Sequence, residues 1–427
     1  MRDYYDTLGH FMDFRDKKNM SLSRCSGQVE VRKNDIYYTK KNNFSTMNRY
    51  TLLIGILLCF GTSQAVRAQQ NFSDTLSYEI VHRNIVIKVK VNGEEARFIY
   101  DSGGIPWIIA SEAERLGIST SGYQSAVDMN QMASWQQKGV IERMEISPNW
   151  TKNKLETVIS GDIMMFKDAG LAGLLNNEVF SNVVVSILPR EQKIVLTPYR
   201  PKGVDRADGI LVTMHTNKGF VVPVQIGGKT ISAMFDTGFD SFIGIGNGEL
   251  KGEDTTGFEI VNNFFGITAI GIHGLPEPDD YFKLRIPSLT IGGHEFAEGT
   301  SISHAGNKNL IGAELLNYGN VILDIPRHIF YFYPFEDGSI HLGGVVSTWD
   351  ITVLPTADHF EIGGVWGDNQ HIEFGDIVTH IDGKSLKDFP KDQYEIERLM
   401  EDIQGDTSTV TLLKNGKEQI VPIRRVY

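Results

Sequence analysis

Two tripeptides hold the residues best suited to chemistry in this 427-residue chain, Asp101-Ser102-Gly103 and Asp236-Thr237-Gly238. A pair of carboxyl groups can act as acid and base on one substrate, the ionised member taking a proton while the protonated member gives one. One such tripeptide says little, because at average residue frequencies a chain of this length contains one by accident roughly one time in five. A lone copy reads better as a turn aspartate capping backbone amides. Two copies in register within a repeat carry much more weight.

The repeat is found when the chain is laid against itself with Asp101 on Asp236, and it spans both halves of residues 80–335. IVIKVKVNGEEARFIYDSGG aligns with FVVPVQIGGKTISAMFDTGF, and Gly93 then falls on Gly228, so the spacing from glycine to aspartate is the same in both copies. Alternating Ile85, Ile87, Val89 and Val91, then Asn92-Gly93, then Ala96, Phe98 and Tyr100 predict a β-hairpin with a tight turn. Gly227-Gly228 is the matching turn. Each aspartate therefore stands where a strand leaves a sheet and enters a glycine-containing turn, which exposes a carboxylate without burying backbone polar groups. Further on, 171–175 with Gly173 is matched to Leu310-Ile311-Gly312, the two glycines lying at a similar remove from their aspartates. Strand pairs are expected to follow at 183–198 and 321–334, with a linker at 198–203. The stretch 124–161 has weak periodicity, and its strands are not placed by the pattern. That stretch and its counterpart 262–274, with Gly266, Gly271 and Gly274, are the two candidates for a flap over a cleft.

These motifs resemble those of retropepsin-like and pepsin-like aspartic peptidases, in which an apolar strand runs into Asp-[Ser/Thr]-Gly and a later apolar-apolar-Gly segment packs beneath it. WIIASEAERLGIS at 107–119 is similar to the segment after the aspartate in bacterial retropepsin-like proteins, with a capping-box pattern at Ser111 and Glu114. NVILDIPRHIFYFYP is similar to the strand pair that closes such a lobe. The resemblance implies a dyad of Asp101 and Asp236 about 3 Å apart, which cannot both ionise and so share one proton. It implies that Ser102 and Thr237 hydrogen-bond across the lobes, and that Gly103 and Gly238 let the backbone approach the carboxylates. With both copies in one chain, a monomer suffices. The residue after each motif glycine departs from the pattern: Gly104 and Phe239 stand where a hydroxyl is common. Without that hydroxyl the apparent pKa values should rise and activity should move toward neutral pH, while Phe239 threatens to crowd the cleft.

Ahead of the repeat, Met47-Asn48-Arg49, the apolar run 51–60 and small-residue sites at 63–65 and 66–68 read as a signal peptide over 47–68. The run is short for a membrane-spanning helix. Residues 1–46 are an odd charged extension, and Met47 is the expected start of translation. Cys59 follows Leu58, where a lipid-attachment site needs a small residue. Both cysteines, Cys25 and Cys59, precede the expected cleavage, which leaves no disulfide framework and no cysteine metal site. Segment 1–68 holds 11 Lys+Arg and 6 Asp+Glu, so its removal takes the net charge from −12 to −17. Such a surface repels nucleic acid and anionic membranes. An exported protein, periplasmic or extracellular, is expected, anchored in the membrane if the signal stays uncleaved.

Beyond residue 340 the pattern changes. Strands are expected at 360–366, 377–381, 409–413 and 419–423, a helix at 393–403, and hairpin turns at Asp382-Gly383 and Asn415-Gly416. FEIGGVW, FGDIVTHIDGKSL and VTLLKNGKEQIVPI resemble bacterial PDZ segments, which implies docking of a peptide chain end or strand; no clear carboxylate-binding loop precedes Phe360, so a structural role is the equal alternative.

The expected fold is mainly β: an acid-protease-like domain of two duplicated lobes, 76–200 and 208–340, followed by a PDZ-like α+β domain at 350–427. The expected function is aspartic endopeptidase on extended polypeptide, needing no metal and no organic cofactor. The rival from another class is a catalytically silent peptide-binding scaffold. Glycosidic cleavage would need carboxylates about 5 Å or more apart, and His-Glu-x-x-His, Gly-x-Ser-x-Gly and Gly-x-x-x-x-Gly-Lys motifs are all missing.

Overall fold

Strand pairing follows the repeat. In the computed structural model, which describes residues 71–128, 130, 132–250, 256–268, 275–306, 308–342, 347–367 and 369–426, the first copy comprises β1 (Asp74–Val81), β2 (Asn84–Val91), β3 (Glu94–Tyr100), β4 (Trp107–Ile109), β5 (Ser119–Val127), β6 (Ala133–Ser147), β7 (Trp150–Ser160) and β8 (Gly173–Leu175). The extension 1–46, the signal segment 47–68, both cysteines, Gly271 and Gly274 lie outside the described residues. Strand β3 pairs with β2 as a hairpin and with β8 in parallel, β8 runs antiparallel to β4, β4 is parallel to β7, and β7, β6 and β5 form a meander.

Two closing strands follow, β9 (Val184–Leu188) and β10 (Lys193–Thr197), then the short β11 (Ile210–Leu211) and β12 (Thr213–Met214). The second copy has β13 (Phe220–Ile226), β14 (Lys229–Asp236), β15 (Ile243–Gly246), β16 (Glu259–Gly266), β17 (Asp279–Ile291), β18 (His294–His304) and β19 (Asn309–Gly312), closed by β20 (Gly319–Asp324) and β21 (Ile329–Pro334). The same scheme recurs: β13 with β14, β14 parallel to β19, β19 antiparallel to β15, β15 parallel to β18, then β18, β17 and β16 antiparallel. The hairpin turns Asn92-Gly93 (φ 51° and 96°) and Gly227-Gly228 (56° and 84°) take the left-handed conformation that suits strand twist.

The closing strands join the two copies. Strand β9 pairs with β20, Ile187 opposite Val321 and Val185 opposite Leu323, and all four side chains are fully buried. A sheet in the order β11-β21-β20-β9-β10-β1 thus spans the two lobes. Its residues Val185, Ile187, Val321 and Leu323 join strands of both copies in one continuous apolar core.

The stretch 124–161 proves to be the long meander β5–β6–β7. Its outer hairpin face carries the exposed Tyr123, Val127 and Trp135, so apolar residues do not mark a buried face there. The capping box is not formed: Ser111 lies inside the helix Ala110–Arg115, whose N-cap Ile109 offers no side-chain bond. The Asp162 carboxylate, entering from the end of β7, accepts the Ser111 amide instead, at 2.9 Å. The match of Gly173 to Gly312 is also corrected. Tyr100 pairs with Leu175 and Asp236 with Gly312, so Asn176 holds the place of Gly312, three positions on from the expected match. Each glycine sits where the chain crosses a neighbour too closely for a Cβ, which would fall 1.9 Å from the Trp107 carbonyl oxygen at Gly173 and 1.9 Å from that of Ser241 at Gly312.

The C-terminal part begins with β22 (Ile340–His341) and β23 (Thr348–Trp349) and continues through β24 (Ile351–Pro355), β25 (Phe360–Trp366), β26 (Ile377–Ile381), β27 (Lys384–Ser385), the helix Gln393–Asp402, β28 (Thr407–Lys414) and β29 (Lys417–Val426). It has its own core, including Val353, Ile362, Ile381, Ile396, Val410 and Ile423. Asp392 caps the helix by accepting the amides of Tyr394 and Glu395 at 2.9 and 3.1 Å. Strand β25 also pairs with β16 of the second lobe, Phe264 opposite Trp366 and Gly266 opposite Gly364. Phe264, Tyr281 and Trp366 pack together at that seam. A Cβ on Gly364 would lie 1.9 Å from the Phe264 ring, and the ring is held by Tyr281 and Trp366. Gly364→Ala is therefore expected to destabilise the protein by about 1–3 kcal/mol, seen as a lowered unfolding midpoint in denaturant; an unchanged midpoint would mean that the seam yields freely.

Candidate active site

Asp101 follows the last residue of β3 and Asp236 ends β14, and the two turns meet where the lobes face each other. The strand pattern explains their placement. Phe98, Tyr100 and Phe235 are buried in the same continuous core, and Asp101 and Asp236, one position further on, are only partly buried. The two carboxyl groups are close enough that each affects the other's titration. Asp101 Oδ1 accepts the amides of Gly103 and Gly104 at 3.1 and 2.7 Å, and Asp236 Oδ1 accepts that of Gly238 at 2.9 Å.

The hydroxyl residues form a reciprocal lattice beneath them. Ser102 Oγ donates to the Phe235 carbonyl at 2.9 Å and accepts the Thr237 amide at 3.0 Å; Thr237 Oγ1 donates to the Tyr100 carbonyl at 2.6 Å and accepts the Ser102 amide at 3.0 Å. Both side chains are buried. Gly103 and Gly238 are required by contact with the opposite lobe: a Cβ on Gly103 would lie 2.2 Å from Asp236 Oδ2, and one on Gly238 would lie 2.7 Å from Asp101 Cγ. The sequence-derived set, Asp101, Ser102, Gly103, Asp236, Thr237 and Gly238, is thus brought together at one point.

The two departures from the motif also have a geometric reading. A Cβ on Gly104 would stand 2.4 Å from Asp101 Oδ2, so this turn has no room for a side chain there. Phe239 does not lie between the carboxyls. Its ring packs behind the turn against Gly244 and Gly312, with the His304 ring 6.4 Å away.

Three asparagines escaped the sequence reading. Asn217 Nδ2 donates to the Gly103 and Gly104 carbonyls, Asn176 Nδ2 to the Gly104 and Asn217 carbonyls, and Asn177 Nδ2 to those of Ser102 and Lys218. Tyr100 Oη donates to Asn177 Oδ1 at 2.6 Å. Together they hold the Ser102–Gly104 backbone from both lobes. The signal was the Asn-Asn pair directly after the apolar segment Leu174-Leu175, hidden by the shifted alignment of the two glycines. A depression of about 360 Å³ adjoins this turn, lined by Ile105, Pro106, Gln124, Val158, Asn176 and Asn217 among others. A larger one, about 670 Å³, lies by the interlobe linker around Tyr199 and Tyr333 and is not lined by either carboxyl.

Of the two flap candidates, 262–266 is tied into the β16–β25 pairing. Strand β5 is the edge of its sheet among the described residues.

Burial pushes the Asp101 carboxyl well above the usual carboxylate range, the charge and hydrogen bond of Asp236 raise it further, and the Gly104 and Gly103 amides pull it partly back. Burial raises Asp236 too, against hydrogen bonds from Asp101 and from the amides of Gly238, Phe239 and Gly103. The two titrate as a pair, the first proton leaving more readily than the second.

No family model matches the chain, and no curated protein sequence does. Among solved structures it is similar to basic 7S globulin from soybean, at 10% identity over 62% of this chain and 95% of that one, with a TM-score of 0.36. It is also similar to edgp, at 9% identity over 61% and 94%, with a TM-score of 0.34. The strand order and register define this class of protein as a duplicated, mainly β fold with paired carboxyls between its lobes. Among the described residues no group of three or more His, Cys, Asp or Glu is placed to hold a metal ion, and no helix is long and apolar enough to cross a membrane.

Raised carboxyl pKa values have a cost in stability. The folded state holds protons that the unfolded state releases, so stability is full below the ordinary aspartate range and falls as pH rises toward the folded value. Asp101→Asn removes that penalty and should raise the thermal midpoint at pH 7, with the gain shrinking below about pH 4; calorimetry across pH checks both the sign and the trend. Thr237→Val should cost about 1–3 kcal/mol by stranding the buried Ser102 amide and Tyr100 carbonyl, read by denaturant unfolding.

Proposed function

We propose that the protein is an aspartic endopeptidase in which Asp101 and Asp236 hold one proton between them and activate water against a peptide carbonyl. The observation that carries this reading is the meeting of two carboxyls from equivalent turns, each turn glycine lying against the other lobe's aspartate, set on the reciprocal Ser102–Thr237 lattice. A lone turn aspartate capping its own amides has no need of a partner from the other lobe.

The ionised carboxylate takes a proton from water as the water oxygen bonds to the carbonyl carbon, and the protonated carboxyl gives its proton to the carbonyl oxygen. As the tetrahedral species collapses, the C–N bond breaks, the amine nitrogen takes up the proton held by the first carboxyl, and a hydroxyl of the adduct returns a proton to the second. No step forms a covalent bond to the enzyme. The depression of about 360 Å³ beside Ile105 and Gln124 suits a substrate side chain, and Gln124 belongs to β5, which favours the β5–β6 hairpin as the flap. The duplicated, single-chain site supports activity as a monomer.

The C-terminal part supports a PDZ-like reading through its strand order and helix. Its turn before Phe360 spends the Thr356 and His359 amides on His359 O and Thr356 Oγ1, which leaves them committed and favours a structural role over capture of a peptide carboxylate. Export by way of the 47–68 segment, of the bacterial retropepsin-like type, completes the reading.

Incubation of the protein with a denatured polypeptide across pH tests it. Wild type should produce cleavage products, and Asp101→Asn and Asp236→Asn should each lose roughly 10²–10⁴-fold or more in rate. Because both carboxyls are pushed upward, the profile should be bell-shaped and extend above the strongly acid range, falling once the pair loses its last proton. Tight peptide binding without turnover, equal in wild type and Asp101→Asn, would establish the silent scaffold instead.

A further inference from the structure

We propose that Arg83 is a positioning residue for the Asp236 turn, and that it makes that turn's placement depend on the docked C-terminal helix; the proposal deepens the peptidase reading and rests on it. Arg83 sits at the tip of the β1–β2 hairpin in the first lobe, far along the chain from both of its partners. Its guanidinium donates to Asp240 Oδ2 at 3.3 Å, four positions beyond Asp236, and to Glu401 Oε1 at 2.8 Å on the helix Gln393–Asp402. Three parts of the protein therefore meet at one cation.

The tip is held in a conformation that its residues do not favour. His82 and Arg83 have φ values of 48° and 64°, in the left-handed region where glycine or asparagine is usual in such turns. Docking accounts for the choice. The His82 ring stacks on the Tyr394 ring, with centroids 4.1 Å apart and planes 19° apart, and Asn84 Nδ2 ties down the His82 carbonyl at 2.8 Å.

The charges about the tip show what Arg83 does. Asp240 and Glu401 flank it, and Glu397, one helical turn before Glu401, feels both Asp240 and Arg83. Three acids with one cation repel one another once the cation is gone. Arg83 and Glu401 are each more than 60% exposed on their side chains, at 68% and 62%, so the ion pairs alone contribute little to global stability. The effect of losing Arg83 should fall on where the Asp240 end of the catalytic turn rests. That turn is short: the Phe239 amide bonds back to the Asp236 carbonyl and the Phe239 carbonyl accepts the Ala313 amide, so a shift at Asp240 reaches the carboxyl with little to absorb it.

The test uses the full chain with Arg83→Met, Arg83→Lys, Glu401→Gln and the double variant Arg83→Met/Glu401→Gln. Arg83→Met should lower kcat by about ten- to a hundredfold with KM within about threefold, the loss expected for a misplaced group. Arg83→Lys should recover most of it, and the double variant should be no worse than Arg83→Met alone. Hydrogen exchange at the Gly238 and Phe239 amides gives a readout independent of turnover and should quicken at least about tenfold in Arg83→Met, as expected for a locally loosened turn. Wild-type kcat and unchanged exchange in Arg83→Met would overturn the proposal, even if its thermal midpoint fell. Faster exchange in Arg83→Met together with a wild type that never cleaves peptide would uphold the positioning role and remove the peptidase reading.

Discussion

Two carboxyl groups in this protein are withdrawn from bulk water at the same point, and the rest of the structure exists around that arrangement. Burying even one ionised carboxylate is costly unless it is paired or neutralised, and two side by side cannot both stay ionised. The fold meets this constraint by making each carboxyl the partner of the other. It then fixes their approach from below with four hydrogen bonds between Ser102 and Thr237 and the opposite strands. Each bond contributes only about 1 kcal/mol net, but they are reciprocal, so one lobe cannot shift without breaking bonds of the other.

The two lobes share a strand scheme and differ in what surrounds it. In the first lobe the β5 edge is open and its hairpin carries exposed aromatic side chains; in the second the equivalent β16 is taken up by β25 of the C-terminal part. The duplication thus supplies a symmetric pair of aspartate turns, and the C-terminal part breaks the symmetry by pairing with β16 of the second lobe alone. Asn176, Asn177 and Asn217 break it again by bracing the first turn.

Much of this was legible in the sequence because it is periodic. The alternation from Ile85 to Tyr100, the paired glycines at the hairpin turns and the repeat offset identify the strands that end in Asp101 and Asp236, and they place all six motif residues together. What escaped was non-local. The helix start at Ala110 takes its cap from Asp162 across a turn, so the local Ser111 and Glu114 pattern misled. Gly173 and Gly312 look equivalent because both permit close strand crossings, yet the ladder sets Asn176 in that place. The β5–β7 meander has no clean alternation because its outer hairpin is solvated on the side where Tyr123 and Trp135 lie. Nor does any local pattern bring His82 and Arg83 to a helix near the other end of the chain.

The central claim is that Asp101 and Asp236 hold one proton in common. Carboxyl carbon NMR of the ¹³C-aspartate-labelled protein, assigned by comparison with Asp101→Asn and Asp236→Asn, follows each group through its titration. The expected result is two coupled steps sensed by both residues, the later one well above the ordinary aspartate range. Independent single titrations, both near the ordinary value, would contradict it.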